Sequence, residues 1–481
     1  MIKRFLLLIF CSAFTIPLFA QSFAGYNYSN YQSAGGMVFN PASMAGSRYK
    51  VNVNIASVNI GVSNNAYEFN KKSIFRGDDF SEGTNFNKIN NSSTKDLYAN
   101  VDIIGPSFMI ELGPKIGSIG FSSRVRFLAN ESNLDNGFFQ VFGNKDVEIF
   151  GKNYTQDDLI VDAHAFADFG LSYARTIWSN NNHVVKGGAT VKYVMGMAAV
   201  SFRINNLNIQ LEKVLSEDFI KDLRGDVSLM YSKGIDEAIG DGGTLSDVWS
   251  QTENSSVGFD FGVEYEWYHK GNYQPAIANK DIWRMNIHTP YTLKVSASIT
   301  DIGSIKYDLS EYSQNYRFDL SNIQTSDFNF DEDNLTDYID KLMEKGYLTE
   351  LSDETSKKFV LPTMLRLNID YNAYKRFFVN AGASINMLGS KSNGGRYGSH
   401  YYVTPRYESK WVSVYSPLSF NTIGQFNWGV GFNFGAFYFG SGSIFNNLFN
   451  SKLKGFDVYV GISVPIGQKK SIELLSPETE G

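Results

Sequence analysis

The sequence predicts an all-β protein: a transmembrane antiparallel β-barrel of about 14 strands, within a range of roughly 12–16. Three observations carry this prediction. An export segment opens the chain, two-faced runs of about ten residues recur along the rest of it, and charge within those runs keeps to one face.

The export segment comes first. Met1-Ile2-Lys3-Arg4 is a short positive head, Phe5 to Phe19 is an apolar core, and Ala20-Gln21 forms a small-residue cleavage site. This is the layout of a secretory signal peptide, too short and too close to the terminus for a membrane anchor. The single cysteine, Cys11, lies inside the apolar core, so the exported chain is expected to carry no disulfide, thiol chemistry or cysteine metal site. Charged residues make up 19% and aromatic residues 15%, and 43 glycines far outnumber 11 prolines, a balance unlike that of a string of soluble domains. The net charge of −6 is too mild to point to nucleic acid as a partner. After the export segment no run approaches the eighteen or so apolar residues of a membrane helix. A closed barrel then remains the way to span a membrane, because every backbone group must be paired within lipid.

The two-faced runs follow in order. Tyr49–Val62 and Tyr98–Leu112 read as the first strands. Ile119, Phe121, Val125, Phe127 and Ala129 alternate with Gly120, Ser122, Arg124 and Arg126. Between Asp158 and Trp178, Val161, Ala163, Ala165, Ala167, Phe169, Leu171 and Tyr173 share one face, against Asp162, His164, Asp168 and Ser172. Val185, Val191, Tyr193, Met195 and Met197 oppose Lys186 and Lys192, and Phe259 to Trp267 oppose Asp260, Glu264 and Glu266. Tyr291, Leu293, Val295, Ala297 and Ile299 oppose Lys294 and Ser298. Phe359, Leu361, Leu365, Leu367, Ile369 and Tyr371 oppose Arg366, Asn368 and Asp370, and Phe377 to Ile385 continue the series. Val403, Tyr407, Trp411 and Tyr415 read as one strand against Arg406, Glu408 and Lys410. Runs at Phe426–Phe434, Ala436–Ser443 and Phe456–Val464 close the chain.

Such runs number thirteen, an odd count where single-chain bacterial barrels are even, so one strand is miscounted. A lysine or arginine facing lipid at mid-membrane costs about 2–4 kcal/mol, which explains why the aromatic face carries almost none. Short connections at Gly113-Pro114-Lys115, at 180–182 and near Tyr374 suit the periplasmic end. Long polar inserts at 64–96, 130–156, 205–255 and 304–357 suit the outer end. Within the last, Asp331–Lys345 reads as a short acidic helix with Leu335, Tyr338, Ile339 and Leu342 on one stripe.

Reactive chemistry finds little support. None of the five histidines sits in a metal-ligand pattern such as H-E-x-x-H. His164, Asp168 and Ser172 share a strand face, but His164 and Asp168 stand about 13 Å apart at roughly 3.3 Å per residue. Asp331-Glu332-Asp333 lacks a calcium loop, and Gly240-Asp241-Gly242-Gly243 lacks the lysine of a phosphate loop. No catalytic residue, metal or cofactor is expected. The inward charges say more. Arg124, Arg126, Lys186, Lys192, Arg366, Arg406 and Lys410 share the lumen with Asp168, Asp260, Glu264, Glu266, Asp370 and Glu408. A lining of one sign would suit an ion-selective pore. The mixture suits an ion-pair lattice that braces the wall or holds a plug, and hence an occluded barrel.

Gly35-Gly36-Met37-Val38-Phe39-Asn40-Pro41-Ala42-Ser43-Met44-Ala45 resembles the N-terminal signature of FadL-type barrels, the long-chain fatty-acid transporter superfamily. Asn40, Pro41 and Ala42 match its turn, and Ser43 stands where the superfamily usually has glycine. Ser298–Gly303, Phe437–Ser441 and Val458–Ile462 resemble a branch of that superfamily whose activity is unassigned. The resemblance implies that the segment before the first strand forms a plug. The expected organisation is a signal peptide over 1–20, an N-terminal plug or lead-in over 21–47, an outer-membrane barrel over 48–467 and a tail over 468–481. The expected function is passive transport of a small hydrophobic solute through an occluded barrel. The alternative is an envelope scaffold or adaptor binding another secreted or outer-membrane protein, as some superfamily members partner type IX secretion. Expected partners are outer-membrane lipid, a small hydrophobic ligand and an envelope protein, with no nucleic acid.

Overall fold

The computed structural model describes residues 23–32, 34–71, 86–89, 94–113, 116–143, 150–214, 217–235, 254–269, 287–288, 291–328, 335–389, 392–409, 411–468 and 470–471. The export segment, the phosphate-loop and cation candidates at 240–243 and 331–333, Lys410 and most of the tail lie outside these residues.

Fourteen antiparallel strands close into a barrel. They are β1 (Tyr49–Asn64), β2 (Thr94–Ile104, resuming as Ser107–Glu111), β3 (Ser118–Asp135), β4 (Leu159–Ser179), β5 (His183–Val214), β6 (Ser255–Trp267) and β7 (Leu293–Ile302). There follow β8 (Met364–Tyr374), β9 (Phe377–Asn386), β10 (His400–Glu408), β11 (Val412–Tyr415 and Leu418–Asn421), β12 (Phe426–Trp428 and Val430–Phe434), β13 (Phe437–Ser441) and β14 (Gly455–Gln468). β14 returns to β1 with Tyr49 opposite Gln468 and Val53 opposite Val464, so no edge is left in the wall.

The wall is inside out relative to a soluble protein. Leu171, Ile369 and Val460 are 69%, 54% and 54% exposed, while Arg126 and Asp168 are fully buried. Such an apolar outer band demands lipid. Among the described residues no helix is long and apolar enough to cross a membrane, so the strands do the crossing. Leu171 lies level with Val191 and Phe259 across two ladders, in the middle of the apolar band. Leu171→Arg is expected to cost about 2–4 kcal/mol. Urea unfolding in lipid vesicles, followed by tryptophan fluorescence, reads this loss against a Leu171→Val control.

β5 outruns the membrane. Its outer half pairs with Glu217–Tyr231 on one side and Asn153–Gln156 on the other, and Gln314–Gln324 and Thr349–Asp353 extend the sheet. A helix at Leu335–Glu344, within the span read as acidic helix, lays Ile339 and Leu342 on Ile220, Leu223, Tyr316 and Leu320. The result is a packed outer platform continuous with the barrel.

Four strand readings need correction. The run Val403–Tyr415 is two strands, β10 and β11, joined at 409–411, where the Ser409 N–H donates to the Val412 carbonyl and the Val412 N–H donates to Ser409 Oγ. This three-residue turn lacks glycine and proline and inverts the parity, so Tyr415 faces the lumen opposite Arg406. The extra strand is the missing fourteenth. Tyr291, read on the lipid face, precedes β7 and is buried inside, bonded to Asp370 and Asn30. Phe359 and Leu361 do not open β8. Ser356–Val360 pairs with Ser304–Asp308 in a separate ladder, and both side chains pack at the centre of the barrel interior. The connection between β6 and β7 spans 268–292 at the periplasmic end, so long connections are not confined to the outer end.

Candidate functional site: the occluded lumen

The chain that precedes β1 fills the barrel. Residues 23–47 form three short 3-10 turns, Tyr26–Tyr28, Ala34–Val38 and Pro41–Met44, and no ladder joins them to the wall among the described residues. Asn40 caps the last turn by accepting the Ala42 N–H at 3.0 Å, and Pro41 takes the first helical position, where its missing N–H costs nothing. Side chains of the wall bond to the backbone of the segment at four further points. Asn59 accepts from Phe23 N (2.8 Å), Asn52 from Ala34 N (2.6 Å), Ser298 Oγ donates to the Phe39 carbonyl (2.7 Å) and Ser118 Oγ to that of Met44 (2.9 Å).

Glycines make room for the close approach. A Cβ on Gly188 of β5 would stand 2.6 Å from both Pro41 C and Ala42 N, and one on Gly120 of β3 would stand 2.6 Å from Met37 Sδ. On the opposite wall the segment is held by rings. Tyr26 stacks on Tyr438 at 3.8 Å, and Phe23 meets Tyr459 at 5.7 Å and Phe39 at 6.0 Å.

The inward charges sort into three groups. In the first, Arg124 pairs with Asp102, Nε to Oδ1 at 2.6 Å. Arg126 bridges Asp168 (2.6 Å) and Asp301 (2.7 Å), and Lys192 bridges Asp301 (2.6 Å) and Asp260 (2.8 Å). The second joins Lys186 to Glu266 (2.6 Å), with Glu264 at 3.8 Å and the Tyr268 hydroxyl on Glu266. In the third, Arg406 holds Asp370 (2.8 Å) and Glu408 (3.0 Å). Glu408 in turn accepts from Ser29 Oγ (2.7 Å), Asn30 N (2.9 Å) and Asn30 Nδ2 (2.9 Å), so the wall's carboxylate latches the N-terminal segment. Arg366 stands apart from all three.

Charge-assisted bonds of this kind are each worth about 1.5–3 kcal/mol. Glu408→Ala is therefore expected to raise the rate at which a cysteine at Met37 (1% exposed) reacts with a polar maleimide by about tenfold or more, while Arg406 keeps Asp370. Cys11 is the only native cysteine, so a Cys11→Ser background removes any competing thiol.

Several members of the lattice were not singled out from sequence. Asp301 lies on the odd, lipid-facing parity of β7. The register shifts between Phe259 and Phe261 on β6, opposite this stretch, and Asp301 adopts φ 62°, which turns its carboxylate inward. An aspartate on lipid parity two residues before a glycine is the sequence signal of such a bulge. Asp102 alternates with Val101 and Ile103 and is buried on the inward face that this spacing gives it. Arg203 and Arg396 close on Asp162 (3.0 and 3.4 Å) and come from an outer strand extension and an outer loop. His164, Asp168 and Ser172 do not form a set. His164 Nε2 meets the Tyr307 hydroxyl (3.1 Å), Asp168 meets Arg126, and Ser172 meets Thr190 (2.7 Å).

The outer side is closed separately. The Ser304–Asp308 and Ser356–Val360 ladder and the loop before β10 pack Ile305, Tyr307, Phe359 and Tyr397 onto Leu128, Phe166 and Val194 of the wall. Cavities bordering the N-terminal segment measure about 20–40 Å³, room for waters and far below the roughly 300 Å³ of a small-molecule site.

A closed antiparallel barrel with a lipid-facing apolar band and a filled, polar interior defines an outer-membrane β-barrel whose lumen is occluded by its own chain. Over residues 41–442 the sequence matches the family described as "Family of unknown function (DUF5723)", and the protein belongs to that family. No curated relative matches it. Among solved structures it is similar to a Pseudomonas aeruginosa FadL homologue (9% identity, 94% of this chain and 100% of that one, TM-score 0.42). It is also similar to the toluene transporters TbuX of Ralstonia pickettii (8%, 94% and 96%, TM-score 0.38) and TodX of Pseudomonas putida (9%, 93% and 98%, TM-score 0.40).

Proposed function

We propose that the protein passes a small hydrophobic solute across the outer membrane when its N-terminal segment withdraws from the lumen. The observation that carries this reading is how residues 23–47 are held: by side-chain bonds and stacked rings, with no strand pairing to the wall. Such a segment can leave without breaking a ladder that closes the barrel. Its departure would bare Tyr415, Tyr438 and Tyr459, which now pack around Phe23 and Tyr26. Those two rings occupy the place of an apolar solute and mark its size.

Flux of a small radiolabelled aromatic hydrocarbon into proteoliposomes tests the proposal, with flux above protein-free vesicles as the expected result. Native mass spectrometry should then find hydrophobic molecules retained by the barrel. Large, steady, unselective channels in planar bilayers would overturn the occluded reading. The second reading, an adaptor for an envelope protein, draws on the outer platform, whose strand Thr349–Asp353 leaves one edge unpaired among the described residues. A stoichiometric protein partner in a gentle detergent pull-down, without hydrocarbon flux, would favour it.

A further inference from the structure

Arg124, Arg126, Lys186, Lys192 and Arg406 each lie in ion-pair range of a carboxylate. Arg366 does not. Among the described residues its guanidinium donates to Thr300 Oγ1 (2.6 Å) and lies 5.4 Å from the centre of the Phe39 ring, and the residue is 5% exposed. A buried cation without a counter-charge is costly.

Arg366 borders a cavity of about 30 Å³ that is also lined by Phe39, Tyr98, Ser384, Arg396 and His400. Two arginines therefore line one cavity, and among the described residues no aspartate or glutamate does. The neighbouring cavity beside Lys186 is different, with Glu264 and Glu266 in its lining. Arg396 is 6% exposed and spends its Nη2 on the Ser392 carbonyl (2.8 Å) and distant Asp162, while its Nε has no hydrogen-bond partner. One water-sized sphere needs roughly 10–15 Å³. The space thus admits a monatomic anion and is too small for an acyl chain.

We propose that this cavity is a binding site for a small inorganic anion of chloride size, held by Arg366 and Arg396. The anion supplies the charge that the wall omits at Arg366. It also ties three parts together: the wall through Arg366, the outer loop through Arg396, and the N-terminal segment through Phe39, whose ring lies against Arg366. The proposal does not depend on transport.

Bromide replaces chloride and scatters anomalously. Crystals soaked in sodium bromide are expected to show an anomalous peak between Arg366 and Arg396, and Arg366→Gln is expected to lose it. In solution, a tenfold rise in chloride above its Kd should raise the melting temperature of the purified protein by roughly 1 °C, with an equal concentration of gluconate as the ionic-strength control. Arg366→Gln should abolish that difference and Arg366→Lys should keep part of it. If Arg366→Gln does not fold, Arg396→Gln provides the same comparison from the outer loop. No bromide peak in the wild type, a peak that survives Arg366→Gln, or equal melting in chloride and gluconate would each overturn the proposal.

Discussion

Asp301→Ala is expected to destabilise the barrel by about 3–5 kcal/mol, among the largest losses a single substitution can cause here. The carboxylate serves two buried cations at once: both Arg126 terminal nitrogens (2.8 and 2.7 Å) and Lys192 Nζ (2.6 Å). Its backbone N–H also donates to Asp260 (2.7 Å). Removing the side chain leaves Arg126 with Asp168 and Lys192 with Asp260, so each cation keeps one carboxylate, but three charge-assisted bonds are lost and Arg126 Nη1 is left buried without its acceptor. The cost is that of leaving donors of buried cations unsatisfied out of water. Asp301→Asn keeps the shape and the left-handed backbone preference, so any loss it shares with alanine is electrostatic. Reversible urea unfolding in detergent or short-chain lipid gives the measurement. A loss below about 1 kcal/mol, the scale of an exposed ion pair, would mean that water reaches this group and that the lattice does not brace the wall.

The second large effect concerns closure rather than stability. Gly188→Val is expected to dislodge the Asn40-Pro41-Ala42 turn and convert a silent barrel into a conducting one. The added Cβ would fall 2.6 Å from main-chain atoms of Pro41 and Ala42, and a backbone held by Asn40 and Pro41 cannot swing aside as a side chain does. Gly187 is the matched control. Its Cβ would meet only the flexible tip of Ile177, on the lipid side of the same strand, so Gly187→Val should leave the lumen closed. Single-channel recording in planar bilayers reads the difference, and labelling of a cysteine at Met37 reads exposure of the segment. If Gly188→Val stays silent with the cysteine still protected, the turn is not what seals this wall.

Much of the wall was legible because a strand's faces alternate with a period of two residues, a property of the local chain. Leu171 out and Asp168 in, or Phe261 out and Asp260 in, follow from spacing along one strand once lipid forbids charge on its side. The errors fall where the period is interrupted without punctuation. The turn at 409–411 contains neither glycine nor proline, so Tyr415 seemed to continue the strand of Tyr407 while the chain had already reversed. At Asp301 a bulge adds a residue, so Asp301 turns inward and Ile302 comes opposite Phe259.

The lumen was harder to read than the wall. Residue types announced that charges of both signs face inward, but pairing is a three-dimensional fact. Arg126 and Asp301 are 175 residues apart, and Ser29 and Glu408 are 379 apart. No local periodicity records such contacts, because each is fixed by the closure of β14 onto β1 and by the order of strands between. The filling of the lumen was likewise beyond spacing: Gly188 and Gly120 look like any strand glycines until the turn and Met37 are packed against them. The signal for a two-faced barrel is thus written into successive residues, since lipid and lumen impose opposite solvation on neighbours. Which carboxylate meets which cation, which strand hides a turn, and where the N-terminal segment lodges were settled only when distant strands came together.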